Sequence, residues 1–376
     1  MHTVRRIQGL LALAAAAGCA ALASAQSYPA KSIRLIVPYP QGRLDASSEQ
    51  GSRLRDATVR ESDVAPVLIA QAPTQREQYP YKSIRLIVPY PPGGANDNLA
   101  RPLVQKLTEA FGVQVILENR GGGGALIGAD IVAKAQPDGY TILFCSTATH
   151  ATSPQLIKHV PYDPFKDFEP VVLLATSPVL AAASNASNIT NIKDLVTAAK
   201  SNPGQFKYGS GGIGSVSHLA VEIFKSIAGI DLLHVPYKGG GDFQADMIAG
   251  RIDLQFNSAP TVSPYVKAGR MKALALARSA RWPDLPDVPT FAEVGYPQYQ
   301  PNGWYGLCAP AKTPRAVVAK LNAETLKAIA TPFYRERLAV LVADPAGSTP
   351  QEFAAYIRNE YDKYGKVIKA TGTRAD

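Results

Sequence analysis

Four short stretches of this chain set glycine beside small hydroxyl or amide side chains, and each directly follows an apolar run. Pro92-Gly93-Gly94-Ala95-Asn96-Asp97 follows IRLIVPY, and Ser146-Thr147-Ala148-Thr149 follows TILFC. Gly209-Ser210-Gly211-Gly212-Ile213-Gly214-Ser215 follows FKY, and Lys238-Gly239-Gly240-Gly241 follows LLHVPY. Glycines let backbone N–H groups and helix N-termini come close to an anion, and in open α/β sheets ligands sit beyond the carboxyl ends of the strands. Any one of these loops is equally well a tight strand-to-helix turn. Together they predict an anion pocket.

Other chemistries find less support. Gly209-Ser210-Gly211-Gly212-Ile213-Gly214 fits G-x-G-x-x-G between a strand and a helix, but the next strand ends in Pro236-Tyr237-Lys238 where an acidic residue should meet a ribose hydroxyl. No dinucleotide cofactor is therefore expected. G-x-S-x-G, H-E-x-x-H and Cys/His metal spacings are missing, so neither a metal nor a catalytic group is expected. His150, His159, His218 and His234 have no second histidine three or four residues on. His218, beside Ser215 and Ser217, could bind an anion or serve a nucleophile in an exported hydrolase. A lone histidine is more often a structural hydrogen-bonding group. Tyr237 and Trp304 could line a pocket, although aromatics in such strands are usually core.

The elements that must position these loops alternate between strand-like and helix-like from Tyr79 onward, the pattern of an α/β protein with mostly parallel sheets. Nine strands are predicted: IRLIVPY, VQVILEN, TILFCS, PVVLLAT, FKYGS, LLHVPY, LQFNS, KALALA and WYGLCAP. Leu99, Leu103, Leu107 and Phe111 recur every four residues and give one helix an apolar face. Leu219, Ile223, Phe224 and Ile227 do the same for a helix that stops at Gly229. A third opens at Thr313-Pro314, and the last at the capping box Thr349-Pro350-Gln351-Glu352. So large a folded region calls for two lobes, and with no linker in the composition these are joined by strands. WPDLPDVPTF reads as an ordered surface loop.

Arg5 and Arg6 precede an apolar run from Leu10 to Ala23 and the small residues Ala23-Ser24-Ala25, an export signal with cleavage expected near Ala25. Ala17-Gly18-Cys19 loosely resembles a lipid-attachment box. Cleavage leaves 351 residues and lowers the formal net charge from +9 to +7, with no block of Lys and Arg, so nucleic acid is not an expected partner. Cys145 and Cys308 remain; in an exported protein they could pair, but each lies inside an apolar strand, where buried free cysteine is common, and they are expected to be reduced and structural. Tyr28 to Gly42 repeats Tyr79 to Gly93 at 13 of 15 positions, but runs on into a charged stretch with no apolar period. The fold is therefore expected to start near Tyr79, with residues 26–78 a partial duplication outside it.

The segments YPYKSIRLIVPYPPGGANDNLAR, ENRGGGGALIGADIVAKAQPDGYTIL, VPYDPFKDFEPV, FKYGSGGIGSVSHLA, HVPYKGGGDFQADMIAGRID, LPDVPTFAEVGY and GSTPQEFAAYI together resemble the solute-binding proteins of tripartite tricarboxylate transporters, the Bug proteins. The resemblance covers essentially all of 79–376 and implies a type II periplasmic binding fold, two α/β lobes with a hinged ligand cleft. It places lobe 1 at 79–178 plus 302–376 and lobe 2 at 179–301, with hinges near 178–184 and 296–304. It implies an extracytoplasmic, non-enzymatic receptor, monomeric, that delivers a mono- or dicarboxylate to membrane transporter subunits. A sensor signalling through a membrane partner is the alternative partner arrangement.

Family members hold a carboxylate largely through backbone amides and ordered water. The carried-over positions are Pro92, Gly93, Gly94, Ala95 and Asp97, then Ser146, Thr147 and Thr149, then Ser210, Gly211, Gly212, Ser215 and His218, with Asn257 on a further strand. Asp97 is expected to cap its helix or orient the loop. Gly121 departs from the usual proline of ENRPG. Asn257-Ser258 stands where many members carry Asp-Asn, which favours a simple carboxylate over an amino-bearing ligand.

Overall fold

In the computed structural model, which describes residues 79–373, the first apolar run becomes a strand, β1 (Ile84–Val88), with every residue but Arg85 buried. Burial on both faces is what a strand within a helix-covered parallel sheet requires. β1 pairs in parallel with β2 (Val115–Asn119) and β3 (Thr141–Ser146). β3 is followed in the sheet by β9 (Asn302–Pro310), antiparallel to it, and then by β4 (Phe168–Ser184). The other strands are β5 (Lys207–Ser210), β6 (Leu233–Pro236), β7 (Leu254–Ser258), β8 (Met271–Leu276) and the short β10 (Asp344–Pro345).

β4 is the strand on which the molecule turns. Its first part, Phe168 to Pro178, pairs with β9, while Val179 to Ser184 pairs with β7 and β8. One continuous strand thus belongs to two sheets: β2-β1-β3-β9-β4 on one side and β4-β7-β5-β6 on the other. Each sheet carries its own core. The helix Ala95–Phe111 lays Leu99, Leu103 and Leu107 onto Ile84, Leu86 and Phe144 in the first, and the helix Val216–Ala228 lays Phe224 against Phe256, Phe291 and Tyr299 in the second. This is the two-lobed α/β architecture expected.

All nine predicted strands are present, and two helix ends follow their sequence signals, whereas Thr313 does not cap its helix: Pro314 is the N-cap of Arg315–Ala330 and the Thr313 hydroxyl donates to Pro310 O instead. Gly229 closes Val216–Ala228 in the left-handed conformation, and Thr349 with Glu352 forms the capping box of Pro350–Thr371. The WPDLPDVPTF loop is ordered and buries Trp282, Leu285, Val288 and Phe291.

Two readings need correction. The sheets are mixed rather than mostly parallel: β4 is antiparallel to β9, β7, β8 and β10, because the chain returns to the centre of the molecule through β4 and β9. Cys145 and Cys308 are joined in a disulfide rather than reduced. Leu143 lies opposite Cys308 and Gly306 opposite Cys145, so the two cysteines are diagonal neighbours on one sheet face, with Cα atoms 6.0 Å apart. Lying in strands far apart in sequence gave no sign of this register. The export signal, Cys19 and the first copy of the repeat lie outside the described residues.

Candidate functional site

A small cavity of about 40 Å³ lies between the two sheets, walled by strand ends and the helices that follow them. Three helices begin on it: Ala95–Phe111 through Ala95 and Asn96, Val216–Ala228 through Val216 and Ser217, and Ala259–Lys267 through Thr261 and the preceding Ser258. The first-turn N–H groups of a helix have no intrahelical partner, and its N-terminus carries the equivalent of about half a positive charge. None of the lining side chains bears a formal charge. The site can thus attract an anion while offering it only neutral donors.

The loops are held from behind. The Asp97 carboxylate, 2 % exposed, accepts from Gly93 N (3.0 Å), Asn119 Nδ2 (3.1 Å) and both Arg101 Nε and Nη2 (each 2.9 Å). Asn119 also donates to Tyr90 O at 2.9 Å, which fixes the other end of the same turn. Across the molecule, Ser215 caps Val216–Ala228 by accepting from His218 N (3.2 Å), and Ser217 Oγ accepts from Gly211 N (2.9 Å). Thr147 Oγ1 accepts from Trp304 N at 3.0 Å, joining the loop after β3 to β9.

Closure brings backbone onto backbone. A Cβ built at Gly241 would lie 2.9 Å from Gly93 C and from Gly94 N across the cleft, while within the second sheet one at Gly211 would lie 2.8 Å from Gly240 N. Asn98 Nδ2 donates to Pro260 O at 3.0 Å, and Thr152 Oγ1 donates to Gly214 O. Only glycine permits the first of these approaches.

Of the residues expected at the site, Gly94, Ala95, Ser146, Thr147, Gly211, Ser215 and Asn257 line the cavity. Pro92, Gly93, Asp97, Thr149, Ser210, Gly212 and His218 do not line it, and most of them hold the loops. Thr149 Oγ1 accepts from Ser146 N (2.9 Å), and Ser210 Oγ accepts from Gly212 N (3.1 Å). Asn257 reaches Gly240 O at 3.3 Å and so braces a loop it also lines. Asn96, Ser217 and Gly240 line the cavity from stretches the sequence had pointed to, and Tyr90, Thr261 and Tyr305 line it without having been singled out. Asn96 and Gly240 stood within the glycine loops, so their signal was present; Thr261 and Tyr305 arrive through tertiary packing alone.

His218 does not form a hydrolytic pair. Its Nδ1 accepts from Gly214 N at 3.3 Å and its ring stacks on His234 at 4.4 Å between centroids, while the Ser215 and Ser217 hydroxyls face each other at 3.1 Å. Burial lowers the His218 pKa, so it supplies no counter-charge at neutral pH. His234 is pushed down to about 4, by burial first and then by His218. Behind the Ser146 loop, burial pushes His150 down to about 3.

The family model described as "Tripartite tricarboxylate transporter family receptor" matches residues 99–373. A protein encoded in the tcbD-tcbE intergenic region of Pseudomonas sp. (strain P51) is 40% identical over 293 residues, covering 78% of this chain and 87% of its own. BugT of Bordetella pertussis is 32% identical over 304 residues, 81% of this chain and 93% of its own. Among solved structures, an R. palustris protein with adipate superposes with a TM-score of 0.77 at 33% identity, over 79% of this chain and 99% of that one. MatC from Rhodopseudomonas palustris with bound malate gives 0.74 at 31%, over 77% and 100%.

Two outcomes are expected. Gly241→Val places its side chain against the Gly93-Gly94 backbone and meets nothing closer within its own loop, so it should hold the cleft open. Ligand affinity measured by calorimetry should fall at least about tenfold with little change in the melting point of the ligand-free protein, since a wedge of about 1.4 kcal/mol suffices. The second concerns acid. Below its unfolded pKa of about 6.5, His150 binds a proton in the unfolded chain but not in the folded one until about pH 3, so stability declines as pH falls through this window. His150 alone should cost about 2 kcal/mol between pH 7 and pH 5. Denaturant melts of wild type and His150→Gln should show a shallower pH dependence in the variant.

Proposed function

Because this chain belongs to the tripartite tricarboxylate transporter receptor family, that of the Bug proteins, we propose that it captures a small mono- or dicarboxylate outside the cytoplasm and hands it to the membrane subunits of such a transporter. The family is one of receptors rather than enzymes, and the protein is a solute-binding protein of that kind. The observation that carries the reading of its cargo is the meeting of three helix N-termini at one small cavity with no charged side chain in its walls. Helix N-termini, with first-turn N–H groups that have no intrahelical partner, favour an anion. The absence of a lining carboxylate, with Asn257 in place of the acidic residue many members carry, disfavours an amino group. The adipate and malate held by two structural relatives are small dicarboxylates, in keeping with this.

Exchange requires motion, because Gly241 rests on Gly93 and Gly94 and so brings the loops of the two sheets together across the cavity. Lobe 1 (79–178 plus 302–376) and lobe 2 (179–301) move as bodies about 178–184 and 296–304. The change of partners along β4 between Pro178 and Val179 supports the first hinge. The receptor acts as a periplasmic monomer after its signal is removed near Ala25. No helix among the described residues is long and apolar enough to cross a membrane.

Thermal unfolding with a panel of organic acids tests the cargo. At a hundredfold excess over Kd the right carboxylate should stabilise by about 2.7 kcal/mol. A shift with amino acids or sugars and none with malate, adipate or other carboxylates would overturn the reading.

A further inference from the structure

A second concavity, of about 500 Å³, opens on the outside of the cleft between the helices Ala95–Phe111, Pro332–Val340 and Ala259–Lys267. Its walls are apolar and aromatic, with Tyr265, Phe333 and the exposed Val340, and its charged groups are two exposed arginines, Arg101 and Arg337. No carboxylate lines it. Arg101 is already committed to Asp97, whereas Arg337 stacks over Phe333 at 5.6 Å and has no ion-pair partner among the described residues. Elements of both sheets contribute its walls. Tyr265 lies on a helix that follows β7 of one sheet, while the arginines lie on helices packed against the other sheet. Two bonds cross between these walls, Asn98 Nδ2 to Pro260 O and Lys267 Nζ to Val340 O, each at 3.0 Å.

We propose that this groove is the docking surface by which the closed receptor is recognised, and that its occupant is an acidic segment with apolar side chains on the membrane partner. The inference rests on the delivery reading above. A partner must distinguish loaded receptor from empty, and a groove built from both sides of the cleft exists only when the cleft is shut. Arg337 supplies the charge complementarity, and Phe333 and Tyr265 the apolar contact that such interfaces concentrate at their centre. Aromatic and arginine side chains of this kind are where binding energy gathers.

The test uses a fluorescein-labelled peptide of alternating Glu and Leu, its Lys-for-Glu counterpart, and phosphatidylglycerol vesicles. The acidic peptide should bind wild type and the basic one should not. Arg337→Glu should weaken peptide binding at least about tenfold while leaving the carboxylate-induced thermal shift unchanged, since Arg337 lies outside the cavity. With wild type and Gly241→Val both saturated with the stabilising carboxylate, Gly241→Val should also abolish peptide binding, which judges the dependence on closure. Equal binding of both peptides, no effect of Arg337→Glu, or undiminished binding to Gly241→Val would overturn the proposal. So would Arg337-dependent binding to vesicles alone, which would assign the groove to lipid, or Arg337-dependent dimers in ultracentrifugation, which would assign it to a second copy. A thermal shift with carboxylates but no peptide binding would sink this proposal and leave the cargo reading standing.

Discussion

The approach of the Gly241 backbone to Gly93 and Gly94 governs the rest of the molecule. A single Cβ at Gly241 would come within 2.9 Å of the opposite loop, so the cleft can shut only because there is none. Backbone then forms part of the wall of the site, at Gly94, Gly211 and Gly240. With side chains excluded from this seam, recognition falls to N–H groups, hydroxyls and amides, and the electrostatic attraction falls to helix N-termini. Such a pocket reads charge and shape but leaves little side-chain trace of which acid it holds.

The formal charges nearest the cavity serve a different purpose. Asp97 is ion-paired with Arg101 and spends its carboxylate on Gly93 N and Asn119, so its charge is neutralised while its geometry is kept. A free carboxylate here would repel the ligand; a paired one fixes the loop that greets it. His218, His234 and His150 behave alike: burial holds them neutral, and they stack or bond behind the loops. The cost appears at low pH, where each must resist protonation to stay folded.

Local signals made most of the fold legible. Apolar alternation located nine strands, and Gly229 and the Thr349-Glu352 box located helix ends, because these depend on residues within one turn of each other. The long β4 was read only as PVVLLAT, since Ser177-Pro178 looks like an end; in the structure that dipeptide is where the strand changes sheets. The disulfide was missed for the same reason that Tyr305 was. Both depend on the antiparallel register of β3 with β9, strands separated by more than half of the described chain. At the site, the glycine loops were visible as composition, but which residues face the cavity and which lie behind it was set by side-chain direction. Asp97, expected from the sequence to cap its helix or orient the loop, and His218 both lie behind the loops rather than in the cavity wall.

The central claim is that the anion is enclosed by closure of two lobes onto backbone. Small-angle X-ray scattering of the signal-free protein, titrated with the acid that stabilises it most, tests this directly. The account predicts a fall in radius of gyration that saturates with the ligand, and a ligand-bound envelope matching the closed structure. An envelope unchanged from empty to saturated, with tight binding measured in the same solution, would mean a preformed rigid pocket and would contradict it.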